Sequence, residues 1–134
     1  MYEPIRTKSV HSMADADFPH RSREEELDIQ LAGHLSALLA VTDELGLDTA
    51  AECLAGQIAR LRGASPARRP GVTTGADPAE LHRRALALAG RALVVAASRA
   101  DTAAAIISAE RMDAHTAALQ ELSDLPGQRL IGAL

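Results

Sequence analysis

Apolar residues recur at Leu27, Leu31, Leu38, Val41 and Leu45, with His34 filling the remaining place in the series. Alternating steps of four and three place all six on one stripe of a helix. Just ahead, Ser22 and Glu25 form a capping box, and Glu24, Glu25 and Glu26 occupy the first turn, where the helix dipole favours anions. Gly46 suits the left-handed stop. The pattern predicts a first helix over 22–45.

The same spacing resumes at once in Leu47, Ala51, Leu54, Ile58 and Leu61. It predicts a second helix over 48–62, capped by Asp48 or Thr49, with Thr49 and Glu52 as a second capping box and Gly63 as its end. A connection this short makes the two helices antiparallel neighbours. Residues 63–76 then carry three Gly and two Pro, which reads as a long loop within one domain.

Asp77, Pro78 and Glu80 form a firm helix start. The third helix, 78–99, buries Leu81, Ala85, Leu88, Ala89, Ala92, Val95 and Ala96, with Arg83, Arg84 and Arg91 facing water. Ser98 to Asp101 contains neither Gly nor Pro, so one unbroken helix of some 45 residues is the alternative. The phase shift of the stripe and the capping residue Asp101 favour a tight turn and a fourth helix over 101–123, ended by Pro126 and Gly127. The fold expected is all-α, a four-helix bundle of two antiparallel helical hairpins. Residues 1–21 show no periodicity and read as a disordered tail, within which Met13 is an alternative start; residues 22–134 form one helical domain.

Composition narrows the chemistry. Of 134 residues only Tyr2 and Phe18 are aromatic, and both precede the helices, so a large planar cofactor would find no face to stack on. No cofactor is therefore expected. Cys53 is the sole cysteine, which excludes an intrachain disulfide, and no apolar run is long enough to span a membrane. With no secretion signal, these features point to a reducing cytoplasm. The net charge of −4 divides into an acidic 23–59 and a basic 60–76 carrying Arg60, Arg62, Arg68 and Arg69. Four arginines without aromatics or a phosphate cradle argue against nucleic acid as a partner.

The core is mainly Leu and Ala. The Ala positions of the last two helices allow their backbones to approach closely, while few large side chains limit the area buried by a single chain. With the apolar Leu130, Ile131 and Leu134, this favours a homo-oligomer, with a further protein partner open to it. Standard catalytic and metal-binding motifs are missing, so the expected function is a non-enzymatic, self-associating interaction module. The alternative is a bundle binding a small molecule, an anion or a metal through core-side His34, His115 and Arg111, with His82 as a further metal-ligand candidate. If both hairpin turns lie at one end, His34 is twelve residues before Gly46 and His115 fourteen after Asp101. At ~1.5 Å per residue these differ by about 3 Å in height, with His82 one turn further down. Arg111, beside His115, is expected to pair with an acid of the first helix or of a partner. Arg60, Arg62, Arg68 and Arg69 are the other anion or partner candidates, against the simpler reading that they complement a helix end and hold the loop over the acidic first helix.

Overall fold

A computed structural model describes residues 22–125; the tail, the Met13 start, Pro126 and Gly127 and the apolar residues beyond them lie outside that range. Four helices are present: α1 (Arg23–Glu44), α2 (Asp48–Arg62), α3 (Pro78–Ser98) and α4 (Thr102–Ser123). Among the described residues there is no strand.

Local chemistry sets most of the boundaries. The Ser22 hydroxyl accepts from the Glu25 amide at 3.1 Å, while the Ser22 amide donates to the Glu25 carboxylate at 3.0 Å. Asp77 accepts from the Glu80 amide, with Pro78 in the first turn, and Asp101 accepts from the Ala104 amide. Gly46 and Gly63 end α1 and α2 at φ of 74° and 76°, backbone angles open to glycine without steric cost. Between α3 and α4 the same left-handed step falls on Ala100, at φ 58°, and the Asp101 amide closes the turn on the Ala96 carbonyl at 2.8 Å. The helix therefore breaks here without a glycine.

The second capping box does not form. Leu47 is the N-cap of α2 and supplies no side-chain hydrogen bond. Glu52 instead accepts from Arg68 at 3.2 Å. The turn between Glu44 and Asp48 is too tight to leave Thr49 outside the helix.

Ion pairs fix how the two hairpins sit. At one end Arg99 reaches Asp28 (3.1 Å) and Glu24 (3.4 Å) near the start of α1, and Arg60 at the end of α2 reaches Asp101 (2.8 Å). At the other end Arg68 reaches Asp43 (2.8 Å), and the Thr74 amide donates to Glu44 at 3.0 Å. The connection 63–77 therefore climbs the length of the bundle before α3 starts. Helices α1 and α4 run one way, α2 and α3 the other. The order around the bundle is α1, α2, α4, α3, so every neighbouring pair is antiparallel. The diagonal pairs, α1 with α4 and α2 with α3, have no Cα atoms within 8 Å of each other. One long crossover replaces the third short turn of a simple up-and-down bundle. The two tight turns thus lie at opposite ends, contrary to the premise of the height estimate for His34 and His115.

Leu31, Leu35, Leu38, Leu54 and Ile58 form the fully buried centre, with Ala85, Ala89, Ala92, Ala96 and Ala104 lining the α3–α4 side. Leu35 is buried where the stripe placed His34, which is half-buried at its edge. The α4 core face is mostly small or polar, its fully buried residues being Ala104, Ser108 and His115.

Candidate functional site

Helices α3 and α4 bring two histidines together. His82 Nδ1 and His115 Nδ1 are 2.9 Å apart, with ring centroids 5.1 Å apart and planes tilted by 49°. His115 is completely buried, and its Nε2 has no hydrogen-bond partner. One imidazole must donate through Nδ1 and the other accept. A donating His115 leaves only a lone pair on the buried Nε2, whereas an accepting His115 leaves an N–H there. The first is the less costly arrangement, and it puts the second N–H of the pair on half-exposed His82, within reach of water. Burial pushes the His115 pKa down to about 4, and the nearby Arg111 and His82 act in the same direction. Burial also lowers that of His82. The pair is neutral at neutral pH.

This is not the constellation expected from the stripe positions. His34 lies on α1, diagonal to α4, and the ring that His115 meets is that of His82. Among the described residues no group of three or more His, Cys, Asp or Glu side chains is placed to hold a metal ion. A metal on the two Nδ1 atoms would also leave the buried His115 Nε2–H without the outer acceptor that a ligating histidine normally has. Half-buried Arg111 stands one turn from His115 and makes no ion pair with an acid of α1 or with any other described residue. A count of residues from the α3–α4 turn alone brings His82 and His115 to within about one helical turn of a common height, and that is the signal in the sequence for their meeting.

The basic segment is largely spent on structure. Arg68 grips the buried Asp43 through two hydrogen bonds, at 3.0 and 2.8 Å, and the Arg69 amide adds a third at 3.2 Å. The Arg68 hydrogen bonds hold the Asp43 carboxyl below the usual range against the opposing effect of burial. Burial likewise acts to raise the Asp101 pKa, but hydrogen bonds from Arg60 and the Ala104 amide outweigh it. The Arg62 and Arg69 side chains remain exposed and form no ion pair with a described residue. Cys53 is exposed on α2.

One surface stands apart from these closed networks. A shallow groove of about 290 Å³ lies at the α3–α4 turn, lined mainly by Ala96, Ala97, Ala100, Ala105, Ile106 and Ala109, with Asp101 and Thr102 of the turn completing it. Ile106 is 54% exposed, and Val94, one turn from Ala97 on the outward side of α3, is 66% exposed. Neither belongs to a core stripe, which is the sequence signal for this face: branched apolar residues placed where a solvated helix would carry polar ones. No helix among the described residues is long and apolar enough to cross a membrane. No family model, curated protein or solved structure matches the chain.

Proposed function

We propose that the protein is a non-enzymatic helical interaction module that self-associates and presents its α3–α4 outer face to another protein chain. The observation that carries this reading is the apolar groove with Val94 and Ile106 exposed beside it. Apolar surface of this kind is costly to leave in water and marks sites of protein contact when it is contiguous. Of the arginines that were candidates for an anion or partner, Arg60 and Arg68 are already committed to carboxylates within the bundle. Binding of a small molecule, anion or metal by His34, His115 and Arg111 has less support, because His34 and His115 stand on diagonal helices. We assign the module to the cytoplasm on the strength of its single cysteine.

Sedimentation equilibrium of the full chain tests the reading. The expected mass is a multiple of 14.1 kDa that falls on dilution. A mass of one chain at every concentration would remove self-association from the proposal.

A further inference from the structure

We infer that two copies of the chain associate through the α3–α4 outer face about a two-fold axis parallel to the helices, with α3 of each copy lying on α4 of the other. The inference rests on the self-association reading and adds its partner, its axis and the residues that meet.

Heights along the hairpin supply the geometry. Val94 is four residues before Ser98, where α3 ends, and Ile106 is four residues after Thr102, where α4 begins. A rotation about an axis parallel to the helices preserves height, and it sets α3 antiparallel to α4 of the other copy. Val94 then meets the partner's Ile106, and Ile106 the partner's Val94, as an isologous contact requires. A two-fold perpendicular to the helices at this height would instead set Val94 on the partner's Val94 and Ile106 on the partner's Ile106, so the flanking charges decide between the two axes.

Charge supplies the second line of support. At about 100° per residue, Arg91 lies ~60° round α3 from Val94, on the side away from Ala97 and the groove. Glu110 lies ~40° round α4 from Ile106, again away from the groove. The two therefore flank the apolar strip on opposite rims. Arg91 is seven residues before Ser98 and Glu110 eight after Thr102, nearly the same height. Side chains lean toward the N-terminus of their own helix, so on antiparallel helices these two lean toward each other. Both are exposed, and neither forms an ion pair with a described residue. In the symmetric pair Arg91 meets the partner's Glu110 on one rim, and Glu110 meets the partner's Arg91 on the other. Between them, at the level of Val94 and Ile106, the strip carries Gly90, Val94, Ala97, Ala105, Ile106 and Ala109, while the carboxylate of Asp101, which lines the groove at the turn, is already paired with Arg60.

The test is sedimentation equilibrium of the full chain and four variants, with circular dichroism to confirm helix content. Val94→Asp and, separately, Ile106→Asp are expected to fold, because both sites are already more than half exposed. Each is expected to weaken the dimer by more than about tenfold by setting a carboxylate in its apolar centre. Arg91→Glu sets like charges together on both rims and is expected to weaken it about tenfold. Arg91→Glu combined with Glu110→Arg restores both pairs with reversed sign and is expected to recover most of the affinity. A dimer that survives Val94→Asp and Ile106→Asp would overturn this interface while leaving self-association standing. Failure of the double exchange to recover affinity lost in Arg91→Glu would overturn the axis and the pairing. A wild-type chain that is monomeric throughout would overturn both readings together.

Discussion

Replacing Arg68 by alanine is expected to cost about 3 kcal/mol of folding stability, near the lower end for breaking a buried ion pair. The cost arises on the other partner. Asp43 is only 3% exposed, and its carboxylate takes two hydrogen bonds from Arg68 and one from the Arg69 amide. Without the guanidinium, an anion is left in a place that water barely reaches. The crossover also loses its Arg68 fastening, keeping the Arg69 amide on Asp43 and Thr74 on Glu44. Urea unfolding at neutral pH checks this, and Arg62→Ala is the control, with an expected change below about 0.5 kcal/mol for an exposed side chain that forms no ion pair with a described residue. The pH dependence gives a further check. Asp43 has a depressed pKa, so its contribution is present above the ordinary carboxylate range and is lost as the pH falls through the folded-state value. Wild type and Arg68→Ala are therefore expected to converge in acid. Equal stabilities at neutral pH would mean that the crossover is not held in this way.

The second large effect is expected at His115. Its pKa is pushed down to about 4, from an ordinary value near 6.5, chiefly by burial. The unfolded chain therefore binds this proton more readily than the folded one. Stability is complete above about pH 6.5 and falls as the pH drops toward about 4, by up to roughly 3 kcal/mol for a shift of this size. No carboxylate offsets the loss: the charges that bear on His115 are those of Arg111 and His82, and both oppose its protonation. His115→Leu, close in volume, is expected to remove most of this slope. It is also expected to gain about 1 kcal/mol at neutral pH, because the unpartnered Nε2 disappears and half-exposed His82 can turn to water. The window between pH 6.5 and 5 separates the histidines from the carboxylates, since Asp43, Glu44 and Asp101, all with lowered pKa values, titrate below it; any slope that remains in His115→Leu is then assigned to His82. An unchanged slope in His115→Leu would show that the buried imidazole does not govern acid stability.

These two sites mark where the sequence was sufficient and where it was not. Helix ends were legible because their chemistry is local. Ser22 with Glu25, Gly46, Gly63, Asp77 with Pro78, and Asp101 all act within a few residues of themselves. The exception proves local only in appearance: Glu52 matches the capping spacing from Thr49, yet it serves Arg68 sixteen residues away. Packing order was not legible. A connection of this length can return to either end of the bundle, and the choice is made by Arg68 on Asp43 and Thr74 on Glu44, contacts of 25 and 30 residues in sequence separation. The height comparison of His34 with His115 depended on that choice. The meeting of His82 with His115 depended only on one tight turn, which makes it the more readable of the two.

The outer face illustrates a further gap. A periodic stripe identifies what a helix buries against its own chain, and by that standard Val94 and Ile106 are simply off the pattern. Their significance appears only once α3 and α4 are neighbours and the strip between Arg91 and Glu110 is seen to be continuous. Amide chemical shifts recorded at high and low protein concentration test the central claim most directly. The expected result is that dilution moves the signals of Arg91, Val94, Ala97, Ile106, Ala109 and Glu110 while those of α1 and α2 stay fixed. Signals that do not move at all, or that move on the outer faces of α1 and α2 instead, would contradict it.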